Sequence, residues 1–173
     1  MAEFGQNQSA TLFDVGRHKT EATVPLPRDN DIVRGLGFVA LYAAYLEEQI
    51  DNLLFMLQPV ETFPVKEQRW PTSQKIKKAK RLLAGLSFEY RDALLGDLDK
   101  CMELLEWRNE VVHGRIYANF DRPDTLKSGR PNVPERVVEA TELYDLAENL
   151  SDARTAVLRP MILQIPKSLS GAE

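Results

Sequence analysis

The chain has little of what builds metal centres or covalent staples. Among its 173 residues there is one cysteine, Cys101, and two histidines, His18 and His113. A lone cysteine excludes an internal disulfide framework and a Cys-based zinc site, and it fits a reducing, cytoplasmic compartment. Two histidines leave few routes to a histidine-ligated metal, so neither a metal nor a cofactor is expected. Long apolar runs are also missing. The most apolar stretch, Leu36 to Leu57, is interrupted by Glu47, Glu48, Gln49, Asp51 and Asn52, so no membrane span is expected. The amino terminus carries Glu3 and no basic-then-apolar run, which does not read as a signal peptide. There is no excess of positive charge. With 22 basic and 26 acidic side chains the formal charge is −4, which argues against coating nucleic acid by bulk electrostatics. Any nucleic-acid contact has to be local.

What is present is enough apolar content, 43%, and enough length for one self-sufficient core. Residues 1–30 are polar and marked by Pro25 and Pro27, and read as an arm. Residues 31–165 read as one helical domain and 166–173 as a tail. Asp29 or Asp31 offers an N-cap carboxylate for the first helix. Leu36, Val39, Ala43, Leu46, Ile50, Leu53 and Leu57 then recur at alternating steps of three and four, a single stripe on a long helix.

Pro59, Pro64 and Pro71 predict a connecting loop, and Thr72 or Ser73 a cap for a second helix from Gln74 to Leu86. Its apolar side is Ile76, Ala79, Leu82, Leu83 and Leu86, with Lys75, Lys77, Lys78, Lys80 and Arg81 on the other. A third helix, capped at Ser87, runs to Val112, with Gly114 placed as a left-handed terminator. Segments 115–119 and 135–140 have strand-like content around a proline-marked tip, which predicts a small β-hairpin. A last helix from Thr141 to Leu158 ends or kinks at Pro160. The expected class is therefore all-α, an antiparallel bundle of four to five helices with a possible small hairpin before the last helix.

One helix breaks its own pattern. Extending the inward series Leu94, Leu98, Cys101, Leu105 by three residues lands on Arg108, an arginine on a core seam. Asn109 lies about 100° round the helix from it, and His113 is four residues beyond Asn109 on the same face. A buried charge persists only if it is paired, wetted or used for binding, and Glu47 or Glu48 is a candidate partner for Arg108. A guanidinium suits a phosphate, and an imidazole moves protons near neutrality. Together they suit RNA cleavage by a 2′-hydroxyl; by spacing alone an Arg and a His near a helix end are more often a capping and salt-bridge arrangement.

The run Arg108-Asn109-Glu110-Val111-Val112-His113-Gly114 resembles the signature of the HEPN superfamily, an Arg and a polar residue followed by a His near a helix end in an all-α bundle. The resemblance is to the HEPN ribonucleases of prokaryotic defence and toxin systems. It implies a metal-independent endoribonuclease and a homodimer in which the motifs of two copies form one cleft. Arg108 would contact the scissile phosphate, His113 would serve as acid or base, and Asn109 would orient either. It also implies RNA as substrate and a neutralising antitoxin or regulatory protein as partner. Some members carry a tyrosine two residues after the histidine; here Arg115 stands there and Tyr117 follows. The superfamily also contains members that only dimerise or bind nucleotide, which leaves a non-catalytic module as the alternative.

The remaining candidates flank the motif. The basic side of the second helix, Lys75 and Lys78 included, reads either as a phosphate-tracking strip or as a solvated face. Arg115, Tyr117 and a loop bearing Arg122, Lys127 and Arg130 read as a substrate clamp or as plain surface. Tyr42, Tyr45, Trp70 and Trp107 read as packing residues.

Overall fold

The first helix starts where a carboxylate can satisfy its free amides. In a computed structural model, which describes residues 31–117, 124–127, 134–165 and 169, Asp31 Oδ1 accepts from the amides of Val33 at 2.9 Å and Arg34 at 3.1 Å. Helix α1 (Ile32–Met56) follows, and Val39, Ala43, Leu46, Ile50 and Leu53 of the stripe are wholly buried, as is Leu57 just beyond it. Each such leucine or isoleucine contributes about 2 kcal/mol through the apolar surface it removes from water. Leu36 is only partly buried. Gly35, one residue earlier, is the point of closest approach instead, because a Cβ there would lie 3.0 Å from the Leu143 Cβ.

The proline-marked connection contains a short helix, α2 (Val65–Gln68), absent from the sequence reading. Helix α3 (Thr72–Ala84) begins directly after Pro71, with no side-chain cap. Helix α4 (Arg91–His113) starts later than Ser87, which lies in the connection, and has Tyr90 at its N-cap. Helix α5 (Ala140–Leu163) runs through Pro160 and does not stop there. A prolyl residue removes one amide donor from the ladder, and packing of Val157, Met161 and Ile165 into the core holds the helix past it. Helix α1 packs most extensively on α5 and also touches α3 and α4, so it is the axis of the fold.

Between α4 and α5 lies a three-stranded antiparallel sheet: β1 (Arg115–Tyr117), β2 (Thr125–Lys127) and β3 (Arg136–Val137), in that order. The hairpin expectation is corrected here. The partner of β1 is β2, with Ile116 opposite Leu126, and the segment expected to pair with it supplies β3 on the far edge of β2. Leu126 alone among these strand residues is fully buried, and it plugs the sheet onto the end of α4. The architecture is thus mostly helical, with five helices among the described residues. The 1–30 arm and most of the 166–173 tail lie outside the described residues. No helix among them is long and apolar enough to cross a membrane.

Candidate functional site

Arg108 occupies the seam position the periodicity gives it, yet it is not sealed in. Its side chain keeps 21% of its exposure. Its Nη2 ion-pairs with Glu47 of α1, and Nη1 donates to Asn109 Oδ1 at 2.9 Å. The Nε is buried and has no partner among the described residues. The fork of the guanidinium is therefore held in one plane by a neighbour on α1 and a neighbour on its own helix. Pairing with Glu47 is what allows the charge to sit beside Leu105 and Val111.

Glu47, Lys75, Arg108 and Asn109 line one open cavity of about 780 Å³ between α1, α3 and α4. These four sequence candidates come from three helices, and the fold brings them to one cavity. His113 is not in that lining. It is exposed on the last turn of α4, and a step of five residues puts it about 140° around the helix from Arg108. Within one chain the arginine and the histidine address different sides of the helix end.

Arg115 and Tyr117, on β1, are exposed just beyond the motif. Gly114, which joins α4 to β1, is extended (φ −77°, ψ 171°), so the expected left-handed terminator is corrected. The glycine is needed for proximity. A Cβ there would lie 2.5 Å from Leu126 Cδ1 and 2.7 Å from the Glu110 carbonyl oxygen. Arg136 of β3 completes the attachment, with Nε donating to Glu110 Oε1 at 3.0 Å and both Nη atoms to the Glu142 carboxylate at 2.8 and 2.6 Å. The Glu142 hydrogen bonds raise its pKa, against the cost of desolvation and with help from Glu110. Trp107 donates its indole N–H to Glu142 at 3.2 Å, so β3, α4 and α5 meet on one carboxylate.

The basic side of α3 differs from its expected appearance. Lys75 and Lys78 are buried, and neither lies on an open phosphate-tracking strip. Lys75 Nζ sits 2.6 and 2.8 Å from the two oxygens of Asp51. Lys78 binds the Thr62 carbonyl at 2.8 Å, Glu61 at 3.0 Å and also Glu67. Desolvation opposes the Lys78 charge, but hydrogen bonds to Glu67 and Glu61 outweigh it and raise its pKa. Arg81 reaches Glu61 and Lys80 reaches Asp99, while Lys77 is exposed. Long aliphatic stems let these lysines lie along the core while their ammonium groups find carboxylates. Lys75 keeps a place at the wall of the Arg108 cavity; Lys78 does not line it.

Two residues that sequence reading treated as packing or passed over also line the cavity. Trp70 is partly buried on the α3 side beside exposed Arg69, and Glu103 is exposed on α4. The signal for Trp70 was its position, an aromatic directly before the proline that starts a helix. Tyr42 packs partly buried against the core, edge-on to Tyr45, whose ring lies 5.4 Å from the Arg154 guanidinium. Burial pushes the Cys101 thiol up to about 12, which leaves it a packing group. Arg122 and Arg130 lie outside the described residues, and Lys127 is exposed on β2. No group of three His, Cys, Asp or Glu side chains suited to a metal occurs among the described residues. Comparison with protein-family models, with curated proteins and with solved structures finds no match.

Proposed function

We propose that the chain is a HEPN-type endoribonuclease of the toxin or antiviral kind, working without a metal. The observation that carries this reading is Arg108, a permanently charged fork braced by Glu47 and Asn109 on the wall of an open cavity. Such a fork fits a phosphodiester and the extra charge of a pentacoordinate phosphorus. The 2′-oxygen attacks phosphorus as its proton passes to a base, and the bond to the 5′-oxygen breaks as that oxygen takes up a proton. The products are a 2′,3′-cyclic phosphate and a 5′-hydroxyl. His113 is the group suited to either proton transfer, a role worth about two to four powers of ten in rate.

The separation of Arg108 from His113 around one helix favours a composite site. A second copy docked at the α4 ends supplies its own Arg108 and His113, so each phosphate meets an arginine from one chain and a histidine from the other. The homodimer, the RNA substrate and a neutralising protein partner belong to this proposal, as does the HEPN-like arrangement of the bundle. Arg115 and Tyr117 are exposed beside His113, which supports their role as substrate contacts in this reading.

One observation favours a second reading, a non-catalytic module that dimerises and binds a protein or nucleotide. Glu47 already satisfies part of Arg108, as a structural arginine requires. The test is cleavage of labelled single-stranded RNA and bulk tRNA in excess chelator by the wild type, Arg108→Ala and His113→Ala. Chelator-resistant cleavage lost in both folded variants supports the ribonuclease. An inert wild type, or cleavage that both variants retain, hands the site to the module.

A further inference from the structure

The cavity beside Arg108 is larger than one phosphate needs, and its walls differ in chemistry. On the α3 side it offers an aromatic face, Trp70, with Arg69 adjoining and the first residues of an uncapped helix, Thr72 and Ser73. On α4 it offers Glu103, which makes no ion pair among the described residues. Glu103, with Glu106 beside it on the same wall, repels a bare phosphate from the α4 side of the cavity. A nucleotide reconciles the two chemistries. Its phosphate belongs with the part of the Arg108 guanidinium that stays exposed on the cavity wall, and its base with the aromatic and the carboxylate.

We infer that this cavity is a base-reading subsite in which Trp70 stacks a nucleobase and Glu103 accepts a hydrogen bond from its exocyclic amino group. The inference rests on the proposed function for the class of ligand, and not for catalysis. Stacking on an aromatic side chain is indifferent to base identity, so discrimination falls to the carboxylate. Cytosine presents an N4 amino donor to it; uracil presents an O4 acceptor at the same place and is repelled. The subsite therefore selects a cytosine-like edge over a uracil-like one by about tenfold, the size of one good base contact. Free nucleotide and a nucleotide within a chain share this chemistry.

Intrinsic tryptophan fluorescence of the full chain reads the subsite directly. The probes are cytidine monophosphate, uridine monophosphate, inorganic phosphate and the uncleavable 2′-O-methyl tetramers of cytidine and uridine. The expected result is saturable quenching by a cytidine probe about tenfold tighter than by its uridine counterpart. That quenching persists in Trp107→Phe and vanishes in Trp70→Leu, and the cytidine preference collapses in Glu103→Ala. Quenching by the monomer assigns the subsite to free nucleotide as well; quenching by the tetramer alone assigns it to RNA chains. Should Trp70→Leu fold poorly, Trp70→Phe keeps a stacking face and must retain the preference by calorimetry. Equal affinity for the two bases, phosphate competing as well as the nucleotide, or no saturable binding overturns the inference. Cleavage is scored separately: an inert protein that still prefers cytidine defeats the ribonuclease reading alone, and an active one without the preference defeats the subsite alone.

Discussion

Glu47 of α1 and Arg108 of α4, 61 residues apart in sequence, form an ion pair across the seam between two core helices, with Asn109 completing the brace. The pair is neither sealed nor open, since the two side chains keep 35% and 21% of their exposure. Water screens such a contact, so its worth is well below that of a fully buried pair.

Replacing Glu47 by alanine leaves the Arg108 charge beside apolar neighbours. After allowance for screening, the expected loss is about 1 kcal/mol of stability, with a greater loss of chelator-resistant cleavage because the fork is no longer oriented. Urea denaturation beside the RNA assay checks both. A double-mutant cycle with Arg108→Ala should show non-additivity, and strict additivity would show that the contact does not matter in solution.

Gly114→Ala forces a methyl group against Leu126 and the Glu110 carbonyl. Leu126 can turn aside, but the carbonyl is backbone in the last turns of α4, so the cost is about 1–3 kcal/mol. Thermal denaturation gives the magnitude. A variant as stable as the wild type would mean that the sheet sits further from the helix end.

Arg136→Ala removes the guanidinium that joins Glu110, Glu142 and β3. It leaves two carboxylates and the Trp107 indole sharing one place, at a cost of about 1–3 kcal/mol. The Trp107 emission should shift as its hydrogen-bond partner relaxes. Unchanged emission and stability together would count against the clamp.

The Lys78 cluster sets a pH dependence with two edges. Glu61 is held below its ordinary 4.5, first by Arg81 and then by Lys78, so its contribution is present above that pH and is lost as acid carries it through the lowered folded value. Lys78 is raised above 10.5, so its contribution is complete below that pH and is lost as alkali passes the raised folded value. Lys78→Met should abolish the alkaline edge and shrink the acid edge, which Arg81 still sustains in part, in denaturation curves taken across pH. An alkaline edge as steep in the variant as in the wild type would place the dependence elsewhere.

What could be read from the sequence followed from periodicity and local chemistry. The α1 stripe, the Asp31 cap and the intrusion of Arg108 are properties of neighbouring residues on one helix, so spacing alone reveals them. Lys75 and Lys78 were misplaced because their burial depends on Asp51, Glu61 and Glu67, which lie in other segments. Strand β2 is not legible in the sequence because three residues between proline and glycine markers carry no periodicity, and its order comes from Leu126 docking on α4. The role of Gly114 was missed for a related reason: the need for glycine arises from an approaching segment and not from its own backbone angles. Cavity lining by Trp70 and Glu103 needs three helices in place, which no single stretch records.

The dominance of the α1–α5 contact governs the order in which the molecule can be made. The first long helix finds its main partner only in the last, with Gly35 against Leu143 and the Tyr144 hydroxyl 3.4 Å from the Asp31 carbonyl oxygen. Until α5 has emerged from the ribosome, α1 has only α3 and α4 to pack on, and a truncated chain presents the part of α1 that α5 covers to solvent or to chaperones. Closure of the bundle must therefore wait for nearly the whole described chain, although the three helices that frame the Arg108 cavity, α1, α3 and α4, are all made before α5.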